Sequence, residues 1–65
     1  MIVLTRLNDR PLVLNAELIK IVEATPDTII TFINGDTIIV RESPEEVMIR
    51  AIDYQRKVHG FRLQS

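Results

Sequence analysis

Asn34-Gly35 lies between Thr28-Ile29-Ile30-Thr31-Phe32-Ile33 and Asp36-Thr37-Ile38-Ile39-Val40-Arg41, and no other feature constrains the fold as tightly. The flanking runs are rich in β-branched residues, which suit a pleated, half-buried strand. An Asn-Gly pair between such runs matches a type I′ turn, in which both central residues take positive φ. The chain is therefore expected to reverse here as an antiparallel hairpin.

Three further strands are expected upstream. Ile2-Val3-Leu4-Thr5-Arg6-Leu7 and Leu12-Val13-Leu14 flank the turn cluster Asn8-Asp9-Arg10-Pro11, in which Asn8 and Asp9 tolerate positive φ, so residues 2–14 read as a hairpin. Pro11 stands at the start of its strand, where a missing amide donor does least harm. Asn15 is a good cap for one helical turn over Ala16-Glu17-Leu18. Ile19 to Ala24 then resumes a strand, and Thr25-Pro26-Asp27 turns it back. Downstream, Ser43 reads as a helix N-cap with Pro44 at the first helical position and Glu46 placed for a capping box. Val47, Ala51, Tyr54 and Val58 form an apolar stripe flanked by Met48 and Ile52. Gly60 reads as the residue that ends the helix, so the helix is expected over about 44–59 and residues 61–65 as a flexible tail, unless Phe61 and Leu63 fold back. The expected architecture is α+β. It is a small antiparallel sheet or partly closed barrel of about five short strands, followed by one amphipathic C-terminal helix, in a single domain over residues 1–60.

Size makes this fold marginal. With 65 residues a domain buries only about 60% of the surface its unfolded chain exposes. Cysteine is absent and there is one histidine, His59, so neither disulfides nor a thiolate–imidazole zinc site reinforces the core. Ideal packing or self-association remains. The strands point toward the second. Ile30 and Phe32 face one way while Ile29 and Ile33 face the other, Ile38 and Val40 oppose Ile39, and Ile2 and Leu4 oppose Val3. Ile49 lies about 160° around the helix from Ala51, away from the main stripe. The surface expected to meet a partner or a second copy therefore includes Ile2, Leu4 and Arg6, Ile29 and Ile33, and Ile49. The alternative is a sheet that curls into a barrel-like sandwich and folds its second face on itself.

No constellation for catalysis is visible. His59 near a helix end suits the helix dipole, Ser43 is used as a cap, and Glu45-Glu46 are adjacent positions that diverge on a helix. Asp36 lacks the spaced oxygen ligands of a calcium loop, and two glycines make no phosphate cradle. No enzyme, metal or cofactor is implied. The net charge is −1, with a local +3 over residues 50–65 and −4 over residues 1–49. That balance, with Phe32 and Tyr54 assigned to the core, disfavours nucleic acid. No targeting or membrane-spanning run is read, and the cytoplasm is the expected location.

Several pieces recur in a familiar order: Met1 to Asn8, Leu14-Asn15 with Leu18-Ile19, Glu23 to Thr28, Asn34-Gly35, and Glu42-Ser43-Pro44-Glu45-Glu46-Val47. The ordered set, covering residues 1–58, resembles the FlbD-type flagellar proteins, also called the swarming motility protein SwrD family. Ala16 departs from the proline usual in that family, and Leu12 from an aromatic. The resemblance implies a bacterial cytoplasmic accessory protein of swimming and swarming that supports motor power through the stator units and does not build the filament. The residues add that such support comes through binding other proteins, and a homo-oligomer fits the chain's size. Two other likenesses are shorter. Met1–Arg6 is similar to the carbon-storage-regulator RNA-binding proteins, and Glu17–Val47 to LytTR-type DNA-binding domains. They keep open the alternative of a small nucleic-acid-binding regulator.

Overall fold

A computed structural model describes the backbone of residues 1–64 and the side chains of residues 1–58. The order of elements is β1 (Ile2–Thr5), β2 (Pro11–Leu14), a 3-10 turn (Ala16–Leu18), β3 (Ile19–Ala24), β4 (Thr28–Phe32), β5 (Thr37–Val40) and α1 (Pro44–Gln64). The strands form two antiparallel sheets, β1-β2 and β3-β4-β5, joined by a single bridge between Arg6 and Val40 and not closed into a barrel. This is the expected α+β fold with five strands and a C-terminal helix.

The β1-β2 hairpin explains its proline. Thr5 lies opposite Pro11, but its N–H goes to Glu42 and its carbonyl accepts from Arg41 N–H, both away from β2. Antiparallel residue pairs alternate between bonded and non-bonded positions, and Pro11 occupies a non-bonded one, where no ladder bond is lost. Asp9 takes the left-handed conformation with φ 67°, as its turn position allows. Asn15 accepts Glu17 N–H at 3.0 Å, capping the 3-10 turn.

The β4-β5 hairpin forms, but its turn differs from a type I′. Gly35 alone has positive φ, at 94°, while Asn34 does not. Phe32 N–H donates to Asp36 O, and Gly35 N–H donates to Phe32 O. The loop is thus one residue longer: a turn centred on Ile33-Asn34, followed by glycine in the left-handed region. The Asn34 side chain stabilises it locally, accepting from Asp36 N–H at 3.0 Å. Ile33 leaves the strand and becomes a turn residue, 62% exposed.

The two sheets curl toward each other and α1 closes the open side. Ile2 and Leu4 of β1, Leu14 of β2, Ala16, Ile30, Val40 and Val47 make one buried core, with Phe32, Ile38, Ala51 and Tyr54 packed around it. Part of the apolar surface expected to stay open is thereby folded inward, because the sheets divide at the 3-10 turn instead of lying flat. The helix contributes a narrower apolar face than its sequence suggests. Val47, Ala51 and Tyr54 face inward, whereas Met48 and Ile52 are 54% and 44% exposed. Helical backbone continues past Gly60 to Gln64, not stopping near 59. Glycine permits a left-handed stop without imposing one, and costs only about 1 kcal/mol within a helix. The 61–65 segment read as a tail is therefore helical through Gln64; Ser65 and the Phe61 and Leu63 side chains lie outside what is described.

At the helix start, Ser43 Oγ accepts Glu46 N–H at 3.1 Å. The reciprocal half of the capping box is replaced, since Glu46 Oε1 instead accepts Arg50 Nε at 3.1 Å. Ser43→Ala should lower the free energy of unfolding by about 1 kcal/mol, seen as an earlier urea midpoint at unchanged slope.

Candidate functional site

The Arg6–Val40 bridge joins the two sheets at one end, and at the other they leave a space between them. There an open groove of about 520 Å³ lies between β2, the 3-10 turn and the tip of the β4-β5 hairpin. Its walls are Leu12, Val13 and Leu14 from β2, Leu18 from the 3-10 turn, and Phe32, Ile33 and Ile38 from the hairpin, with Asn15 and Asn34 at the rim. Val13, Leu18 and Ile33 are 62%, 43% and 62% exposed. Ile33 N–H donates to the Leu18 carbonyl at 2.9 Å, continuing the β3-β4 pairing one step past Ile19 and Phe32 and holding Ile33 and Leu18 side by side in the groove wall.

Its chemistry is narrow. No charged side chain lines the groove; Asn34 is engaged at both ends of its amide by Asp36, and Asn15 through its carbonyl oxygen by Glu17 N–H. Small-molecule sites carry a few convergent polar groups that fix the ligand, and these are missing from the lining. Addition of a partner strand is also poorly served. The outer edge of β2 includes Pro11, which has no N–H, and β3 shifts register between Ile19 and Ile21. Proline and bulges at edges block strand addition. What remains is an apolar recess with two asparagines among its lining residues.

The residues singled out in the sequence scatter. Ile2 and Leu4 are 5% and 0% exposed, which corrects their assignment to a partner surface. They point inward because β1 turns that face onto Val40 and Val47. Arg6 is exposed beside its bridge to Val40. Ile29 is half-buried on the outer face of the second sheet, between Glu23 and Ile39. Ile33 lines the groove, and Ile49, 54% exposed, lies across the molecule on the outward side of α1. Leu12, Val13, Leu14, Leu18 and Ile38 escaped sequence reasoning as a group. The hint was the Asn15 cap, which breaks β2 from β3 and forces the sheet to split.

Two basic side chains, Arg41 and Arg50, are committed to acids. Arg41 Nε pairs with Asp9 at 2.6 Å. Arg50 pairs with Glu46 at 3.1 Å and Glu42 at 3.5 Å and donates to Val3 O at 2.7 Å. Glu42 in turn accepts Thr5 N–H and Thr5 Oγ1–H, each at 2.8 Å. Burial pushes the Glu42 carboxyl up, but the Thr5 hydrogen bonds, its own N–H and the Arg50 charge hold it below the ordinary glutamate value. This cluster fastens β1 to the start of α1 and leaves the groove free of charge. Among the described residues, no helix is long and apolar enough to cross a membrane.

Comparison with curated proteins and with solved structures gives no match. A family model described as flagellar and swarming motility proteins does match, over residues 1–59. That span holds every strand, the groove and the docked part of the helix, and it shows that this chain belongs to the FlbD family of flagellar and swarming motility proteins.

Proposed function

We propose that this chain is a non-enzymatic cytoplasmic accessory protein of bacterial flagellar motility. It acts by binding another protein, and it supports the power of the motor through its stator units. Membership of the FlbD family carries the motility assignment. The apolar groove around Leu18 and Ile33, with no charged side chain in its lining and two asparagines as its polar side chains, supports binding of a protein as the mode of action. A nucleic-acid regulator would need excess positive charge and aromatic rings free to stack on bases, whereas the net charge is −1 and Phe32 and Tyr54 pack against the core.

A deletion strain scored separately for filament number and swimming force tests the motor part. Normal filaments with weak rotation support it, whereas missing filaments overturn it. Complementation with Ile33→Asp tests the groove. Ile33 is largely exposed in a turn that accommodates aspartate, so stability should change by no more than about 0.5 kcal/mol. Swimming should nonetheless fall toward the level of the deletion strain. Full motility with Ile33→Asp would remove the groove from the mechanism.

A further inference from the structure

The outward side of α1 carries a second seam that the core does not use. Glu45, Ile49, Ile52 and Arg56 follow one another at spacings of four, three and four residues, which is the a/d spacing of a coiled-coil contact. At 100° per residue they fall within about 60° of each other, on the side opposite Val47, Ala51 and Tyr54. Ile49 and Ile52 are 54% and 44% exposed, and Met48 beside them is 54% exposed. Glu45 and Arg56 are exposed too, and among the described residues neither side chain makes an ion pair or hydrogen bond.

The seam is complementary to itself in one orientation only. When two copies pair antiparallel about the midpoint between Ile49 and Ile52, Ile49 of each faces Ile52 of the other. The same symmetry places Glu45 opposite Arg56 at both ends, so two unpaired charges per chain become two intermolecular ion pairs. Parallel pairing would set Glu45 against Glu45 and Arg56 against Arg56, which repels. We infer that the chain self-associates as a two-fold dimer through an antiparallel α1–α1 contact centred on Ile49 and Ile52. This seam lies apart from the groove, so a dimer presents two grooves, and the inference does not depend on the motility assignment. The seam is short and covers less than the roughly 800 Å² per partner of a standard interface, which places the dimer among weak, concentration-dependent ones.

Sedimentation equilibrium from about 10 μM to about 1 mM at low salt decides the matter, because ion pairs of this kind are screened as salt rises. The parent should shift from monomer to dimer across the range. Glu45→Arg alone, or Arg56→Glu alone, should weaken association by roughly tenfold, since each turns attraction into repulsion at both ends. The double exchange E45R/R56E should restore it to within about threefold of the parent. Ile49→Asp should leave a monomer, with circular dichroism confirming that each variant folds. A parent that stays monomeric throughout overturns the inference, including the case in which the seam instead captures a helix of a different protein. A dimer in which the double exchange fails to restore what the single changes weaken overturns it equally.

Discussion

Leu4→Ala should unfold this domain or bring it to the edge of unfolding at room temperature. Leu4 has no exposed surface and lies at the centre of the core formed by Ile2, Leu14, Ile30, Val40 and Val47. Truncating a fully buried leucine removes its transfer free energy and leaves a cavity, together about 3–5 kcal/mol. At the usual 0.05–0.15 kcal/mol per residue, a chain of this length has a total stability of only about 3–10 kcal/mol. Urea denaturation of three variants checks the reading. Leu4→Ala should lose most or all of the cooperative transition. Leu4→Met, close in volume, should lose no more than about 1.5 kcal/mol. Val3→Ala on the opposite face, where Val3 is 52% exposed, should change stability by about 0.5 kcal/mol or less. Equal losses at positions 3 and 4 would contradict the orientation of β1.

That orientation shows where sequence reasoning stops. Alternation placed Ile2 and Leu4 on one face of β1 and Val3 on the other, and the structure agrees. Alternation cannot say which face is inside when both are apolar, because the choice is made by distant residues. Val40 and Val47 cover the Ile2–Leu4 face, and the cover depends on how the two sheets curl. Local chemistry was more legible. The Asn15 and Ser43 caps, the Asp9 turn and the non-bonded seat of Pro11 each follow from residues within a few positions.

The groove was harder to foresee for a related reason. Its walls come from three separate elements, β2, the 3-10 turn and the β4-β5 hairpin, whose relative placement no local pattern gives. An Asn-Gly pair fits both a two-residue type I′ loop and the three-residue loop found here, since both use glycine at positive φ. The longer loop makes Ile33 a turn residue, while its bond to Leu18 continues the β3-β4 pairing. The outward helix seam was half legible. The angle between Ile49 and Ala51 marked Ile49 as outward, but Ile52 was grouped with the core stripe. At a boundary position on the helix, only the tilt of α1 against β1 and β3 decides exposure.

Replacement of Glu42 should have the largest effect of any change outside the apolar core, and its effect should depend on pH. The Glu42 carboxylate accepts two hydrogen bonds from Thr5 and pairs with Arg50, which also reaches Val3 O on the same strand. Thr5 N–H points away from β2 and has no strand partner at that edge, so the carboxylate is what satisfies it. Glu42→Ala removes that acceptor and separates β1 from α1, at a cost of about 2–4 kcal/mol. Glu42→Gln keeps one acceptor and loses the charge, at a cost of about 1 kcal/mol. The folded carboxyl is held below the ordinary glutamate value, so its contribution is fully present above about pH 4.3 and is lost as pH falls through the folded value. The stability gap between the parent and Glu42→Gln should therefore be constant near neutrality and narrow on acidification, as measured by urea titrations at stepped pH. A gap that holds constant into strong acid would mean the charge contributes nothing. Thr5→Val separates charge from hydrogen bonding, because it deletes the hydroxyl donor and leaves the N–H in place. Combined with Glu42→Gln in a double-mutant cycle, it should show a coupling of about 0.5–1.5 kcal/mol at neutral pH. That coupling should shrink in acid together with the gap, since one ionised carboxylate is responsible for both.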